Sequence, residues 1–143
     1  MEYERVLVAT DGSDPATEAA EHACDLAERH DAPLHAVYVM DTENPDVDEV
    51  IDADTLRDQL RAQGEAALEK VVEIAEPYGV DVETAILEGV PFDEVVTYVE
   101  DEDVDAVVVG RRGRTESIRI PLGSTTDAIL RHTPVPVLVC PRE

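Results

Sequence analysis

The chain reads as an α/β protein, a parallel sheet with helices on both faces, and two observations predict this. Short apolar runs alternate with longer helical stretches from end to end, which is the pattern of β-α-β units with crossover helices. Strand exits rich in glycine or turn residues also feed directly into helix starts, at Thr10-Asp11-Gly12 after the first run and at Gly110 to Gly113 after the fourth. The elements follow in order. Val6 to Ala9 is a buried strand and Asp11 to Asp14 a turn. Asp14 is expected to cap the first helix, with Pro15 at its first position, Glu18 in its first turn and Ala19, Ala23, Leu26 and Ala27 on its apolar face. Leu34 to Met40 is the second strand, and the polar stretch Asp41 to Asp52 reads as a mobile loop. Leu56, Leu60, Ala67, Val71, Ile74 and Tyr78 keep a helical period as far as Pro77-Tyr78-Gly79. Gly64 falls on that apolar face, which predicts close packing rather than a break. Val80 to Leu87 alternates as a third strand, and Pro91 opens a helix that runs to about Glu100. Asp105 to Val109 is the fourth strand, Ser124 to Arg131 the last helix and Val135 to Cys140 the last strand.

At 143 residues, of which 43% are hydrophobic, the chain is expected to form a single domain over residues 1–143 with a real core. No apolar run approaches the length of a membrane span, and with Arg5-Val6-Leu7 so near the N-terminus no signal peptide is expected. A cytoplasmic protein with no membrane partner is expected. Acidic residues number 34 against 11 basic ones, a net charge of −23, and Lys70 is the only lysine. Such a chain repels phosphate backbones, so nucleic acid is excluded as a bulk partner. The acids are spread along the sequence rather than gathered in a tail. Molar salt shortens the screening length to about 3 Å and relieves such self-repulsion, so the composition fits the salt-loaded cytoplasm of a halophile. Cys24 and Cys140 lack metal-ligand spacing and read as buried free thiols of a reducing compartment. His22, His30, His35 and His132 share no ligand spacing either and read as surface or satisfied histidines. Glu100 to Asp103 reads as a solvated helix end.

The most informative segment is Gly110-x2-Gly113-x9-Gly123-Ser124, between the apolar run Val107-Val108-Val109 and the last helix. Glycine lets the backbone approach an anion closely, and a helix start offers N–H groups and a partial positive charge. Four of the scarce basic residues, Arg111, Arg112, Arg114 and Arg119, lie in this stretch with only Glu116 opposing them. The spacing is neither the P-loop nor the dinucleotide fingerprint. Ligands in such sheets bind past the carboxyl ends of strands, so the exits of strands one and four would line one crevice if those strands were neighbours. That adjacency is not fixed by the residues.

Taken with Asp11-Gly12-Ser13 and Thr133-Pro-Val-Pro-Val-Leu-Val139, the glycine spacing resembles the universal stress protein family over essentially the whole chain. The resemblance implies a three-layer sandwich around a five-stranded parallel sheet in the order 3-2-1-4-5, of the Rossmann-like, adenine nucleotide alpha hydrolase-like type. It also implies the nucleotide-binding branch, whose members bind ATP, with Mg²⁺ or Mn²⁺ bridging the phosphates. Carried over by position, Ala9, Thr10 and Asp11 flank the nucleotide and Val39 supplies the backbone contact to adenine. Val109, Gly110 and Gly113 match the ribose and phosphate side, and Gly123, Ser124, Thr125 and Thr126 the phosphate cradle. Arg112 stands where a basic or imidazole residue is expected and joins this set, whereas Arg111 stands where a small residue is expected. Asp11 would repel a triphosphate and is expected at the ribose hydroxyls or a bound metal. No catalytic residue and no protein metal ligand is implied. The functional expectation is an ATP-binding stress-response or signalling module. The alternatives are a slow ATP hydrolase or nucleotidyl-transfer enzyme of the same fold, and a dimeric interaction module that binds no nucleotide. In the family order Val135 to Cys140 is an apolar edge strand, which predicts a homodimer through it, and Pro134 and Pro136 suit an edge position. The downstream partner is unknown.

Overall fold

Successive side chains of a strand point to opposite faces, and here both faces are apolar, which requires a helical layer on each side. The computed structural model describes residues 2–42, 52–111 and 122–141. Its elements are β1 (Val6–Ala9), α1 (Asp14–His30), β2 (Leu34–Met40), α2 (Ala53–Ala75) with a 3₁₀ turn Glu76–Tyr78, β3 (Val82–Glu88), α3 (Pro91–Asp101), β4 (Ala106–Gly110), α4 (Ser124–His132) and β5 (Val137–Cys140). The five strands form one parallel sheet in the order β3-β2-β1-β4-β5. Val6, Val8, Ala36, Tyr38 and Val108 face the layer of α1 and α2. Leu7, Val37, Val107 and Val109 face α3 and α4, together with Val95, Val99 and Ile129. The adjacency of β1 and β4, left open by the residues, is present, with Val8 opposite Val108.

Gly64 is where close packing was expected. A Cβ built there would stand 2.6 Å from Cδ1 of Tyr38, so α2 reaches the sheet only because this residue has no side chain. Several boundaries differ from expectation, β4 for one spanning Ala106–Gly110 rather than Asp105 to Val109, and three bear on the argument. The cap of α1 is Ser13, not Asp14: the Ser13 hydroxyl accepts from the Ala16 amide at 3.3 Å, and Asp14 is already helical. β3 begins at Val82 rather than Val80. β5 begins at Val137 rather than Val135 because the ladder on the β4 side needs an amide that Pro136 lacks. The Pro136 carbonyl accepts from the Val107 amide at 3.0 Å and the Cys140 carbonyl from Arg111 at 3.1 Å. Both therefore face β4, and the backbone groups of Val137 and Val139 face away from the sheet. Pro136 thus marks the start of the inner ladder and leaves the outer edge unblocked. Of the expected loop Asp41 to Asp52, residues 43–51 lie outside the described residues.

Cys24 and Cys140 are both free and buried. Burial, helped by Glu21 and Glu18 respectively, pushes each thiol up to about 11, so neither is an available thiolate at neutral pH. His35 is buried with Nδ1 2.7 Å from the Tyr98 hydroxyl, and His30 Nδ1 accepts from the Tyr3 amide. No helix among the described residues is long and apolar enough to cross a membrane.

Candidate functional site

β1 is the shortest central strand, and its early departure opens a crevice. Its ladder to β2 ends at Ala9 opposite Val37, and the Thr10 amide adds a last bond to the Val37 carbonyl at 3.0 Å. β2 runs on to Met40 and β4 to Gly110. Backbone groups of alternate residues in a strand point to the same neighbour. Val37 bonds toward β1, so the amide and carbonyl of Val39 face the same side, beyond the point where β1 has left the sheet. On the other flank, Val107 and Arg111 bond toward β5, so the backbone of Gly110 faces the crevice. Thr10 and Val109 are buried, and Ala9 and Val39 are half-buried.

The turn after β1 is held by its own side chains. Thr10 Oγ1 accepts from the Gly12 amide at 3.1 Å and Asp11 Oδ1 from the Ser13 amide at 2.9 Å. Gly12 takes a left-handed φ of 82°, which glycine adopts without strain. Lys70 reaches in from α2 to the Gly12 carbonyl at 3.4 Å. Asp11, expected to face a ligand, therefore makes an Asx turn that lies on the path into α1.

The start of α4 is built differently. Thr126, buried, donates its hydroxyl to the Gly110 carbonyl at 2.9 Å, and the Gly123 amide donates to the Arg111 carbonyl at 2.8 Å. These two bonds pin the helix start to the exit of β4. The N-cap is Gly123, at φ −66° and ψ 153°, and makes no side-chain cap bond. A capping side chain would accept from the amides of Thr125 or Thr126, the second and third helical residues. Gly123 provides none, and Ser124 and Thr125 lie exposed beside them. Of the sequence-predicted set, Arg112 and Gly113 lie outside the described residues, as do Arg114 and Arg119.

Gly110 has a structural reason to be glycine. A Cβ there would lie 2.9 Å from the Pro15 carbonyl oxygen, so the β4 exit and the first turn of α1 touch backbone to backbone. Sequence reasoning missed three participants: Ser13 as the cap, Pro15 as the partner of Gly110, and Lys70. The first was legible, since serine caps as readily as aspartate. The other two depend on contacts between elements distant in sequence. No cluster of three or more metal-ligating side chains exists among the described residues.

A parallel sheet in the order β3-β2-β1-β4-β5 with helices on both faces and a crevice past the carboxyl ends of its central strands defines a doubly wound α/β protein. The chain belongs to the universal stress protein family, whose pattern matches residues 2–141. It is similar to universal stress protein MJ0531 of Methanocaldococcus jannaschii, 38% identical over 96% of this chain and 81% of that protein. A putative universal stress protein of Staphylococcus haemolyticus is 35% identical over 97% of this chain and 85% of its own length. Among solved structures, that of the protein MJ0577 superposes with a TM-score of 0.86 at 29% identity, covering 100% of this chain and 99% of that one. A universal stress protein crystallised in complex with cAMP superposes with a TM-score of 0.76 at 27% identity, each chain covered to 98%.

Proposed function

We propose that this chain binds an adenine nucleotide, ATP in the first place, and acts as a nucleotide-dependent stress-response or signalling module of one universal stress protein domain. The observation that carries the reading is the start of α4. Its cap is a glycine without an acceptor, so the Thr125 and Thr126 amides point their donors toward the crevice, where the helix dipole also favours an anion. The backbone pair of Val39, across the crevice, suits the edge of an adenine ring. Ala9, Thr10, Asp11, Val109 and Gly110 form the floor and wall between them. Arg112 and Gly113 join the phosphate side in this reading. The relative bound to cAMP supports the adenine class. A divalent cation, Mg²⁺ or Mn²⁺, would be held chiefly by the phosphates. Bound, such a cation neutralises phosphate charge in this anionic protein.

Mass spectrometry of small molecules retained through gentle purification in high salt tests the reading, followed by calorimetric titration of ATP from moderate to molar potassium chloride. Retained or titratable adenine nucleotide is expected. The amide cradle acts at short range, so affinity should survive at molar salt, where the fold of a chain with net charge −23 is best screened. A steep loss of affinity while circular dichroism stays constant would transfer the phosphates to the arginines. Binding of no adenine nucleotide would leave the dimeric interaction module. Steady release of phosphate or AMP would make the protein an enzyme.

The proposed homodimer pairs β5 with its copy. The outward backbone groups of Val137 and Val139 and the 46% exposure of Leu138 favour it. Light scattering in high salt should give a dimer, and a monomer at micromolar concentration would remove this part of the proposal.

A further inference from the structure

The sheet has a second edge, on the far side from β5. The Leu34 amide donates to the Asp81 carbonyl at 2.9 Å and the Gly89 amide to Met40 at 3.1 Å, so odd-numbered residues along β3 bond inward to β2. Val82, Thr84, Ile86 and Glu88 therefore turn their backbone donors and acceptors outward, and no strand among the described residues pairs with them. Beside this edge, on the α2 face, runs a groove lined by Arg61, Glu65, Leu68, Glu69, Val72, Thr84 and Ile86. Val72, 44% exposed, and half-buried Ile86 give it apolar lining over buried Leu68. One turn before Arg61, the Arg57 guanidinium grips the Glu88 carboxylate of β3 through two bonds at 3.2 and 3.1 Å. Apolar lining beside free strand groups is the arrangement that recognises an added strand.

We infer that β3 and the α2 groove bind an extended segment of another protein, one that carries an aliphatic residue with lysine or arginine two positions away on the same face. The backbone of this segment bonds Val82, Thr84 and Ile86 as a sixth strand. Its aliphatic side chain enters the groove against Val72 and Ile86. Its cation meets Glu65 and Glu69 on the rim. The spacing is compatible: along α2, Glu69 lies about 4.5 Å and Glu65 about 10.5 Å from Val72, which brackets the roughly 6.7 Å between same-face residues of a strand. The sign of the partner follows from the rim, where two glutamates outnumber Arg61, and from the net charge of −23, which draws in basic segments and repels acidic ones. The site lies on the opposite sheet edge from β5 and outside the nucleotide crevice, so it stands whether or not a nucleotide binds.

The probe is a fluorescein-labelled synthetic peptide with valine and lysine alternating at every second position and threonine between them. A shuffled peptide of the same composition is the control, and binding is read by anisotropy at physiological ionic strength. The alternating peptide should bind at least about tenfold more tightly than the shuffled one, and amide exchange of Thr84 and Ile86 should slow on binding. Glu69→Lys should weaken binding about tenfold, whereas Glu100→Lys, with the same change in net charge on the far helix end, should change it less than about twofold. Thr84→Pro removes one outward donor without touching the β2 ladder and should also weaken binding. If that variant fails to fold by circular dichroism, Glu69→Lys and the exchange data decide. Equal affinity for both peptides, equal effects of the two glutamate variants, or absence of binding would overturn the inference. Protection of Thr84 and Ile86 in the free protein would do the same, because the chain would then cover its own edge. Self-association abolished by Glu69→Lys would assign the edge to a second copy instead.

Discussion

α1 and α4 are the helices that follow β1 and β4, the two strands whose exits flank the crevice, yet their first turns are finished in opposite ways. At α1, Ser13 caps the helix and the side chains of Thr10 and Asp11 tie up the preceding turn. At α4, the cap is a glycine with no side-chain acceptor, and the Thr126 hydroxyl bonds back to the Gly110 carbonyl of the strand rather than to the helix amides. One helix start is completed by the residue before it, and the other has no such cap from its own N-cap residue. Under the proposed function, the difference separates a structural helix start from one that would bind phosphate, and it does so through hydrogen-bond accounting rather than motif likeness.

The largest expected effect comes from making the second start resemble the first. Gly123→Asp introduces a side chain that can cap Thr125 or Thr126, at a φ of −66° that any residue adopts. Helix stability should hold or rise by a few tenths of a kcal/mol, while ATP affinity falls about 100-fold, near 3 kcal/mol, as charge-assisted bonds are lost to an internal acceptor. Gly123→Ala adds the same Cβ without an acceptor and should retain most of the affinity. Calorimetry and thermal melts on both variants check this, and equal binding by wild type and the aspartate variant would break the comparison.

Next in size is Gly110→Ala, which attacks the joint between the two starts. The new methyl group meets the Pro15 carbonyl, and the fold should lose about 2 kcal/mol in denaturant titration. A neutral outcome would mean that the β4 exit and α1 are free to separate.

Ser13→Ala opens the closed start. It should cost about 1 kcal/mol of stability and leave ATP affinity within about twofold, the reverse of the expectation for Gly123→Asp. Loss of binding on this substitution would show that the β1 exit holds the ligand as well.

The smallest effect extends the comparison to α2, whose cap is a carboxylate. The amide of Thr55, then its hydroxyl, hold Asp52 below the usual aspartate range. Because the folded-state value is depressed, the cap's contribution is complete above the unfolded value near 3.8 and is lost as pH falls through the folded one. Between about pH 5 and pH 2, exchange protection of the Thr55 amide should decline, while that of the Ala16 amide, capped by a hydroxyl that does not titrate, should not follow it. Parallel decline at both amides would mean global acid unfolding rather than loss of one cap.

Legibility in the sequence followed the range of the forces involved. Strands β1 and β2 have the boundaries that their apolar runs predict, because a strand buried on both faces must be apolar throughout. Ser13 was displaced by Asp14 in the reading because both can cap, and only the backbone conformation at Asp14 decides between them. The start of β5 was misjudged because Val135 has a strand's apolar character, while the missing amide of Pro136 matters only once β4 lies beside it. At Gly110 the residue type was right for a ligand loop, but the contact that demands glycine is with Pro15, ninety-five positions earlier in the chain.

By itself, the sequence determined the alternation of strands and helices, the glycine-rich exit before α4, the burial of both cysteines and the anionic surface. These follow from local composition and period, which act within a few residues. Only the tertiary structure decided which exits share a crevice, that β1 stops short so that Val39 and Gly110 face each other across it, and which helix start is left uncapped. It also set the directions in which β3 and β5 turn their unpaired backbone groups. Hydrogen-bond direction in a sheet alternates along each strand and is fixed by the neighbour's register. It is therefore a property of pairs of strands, which no single stretch of sequence carries.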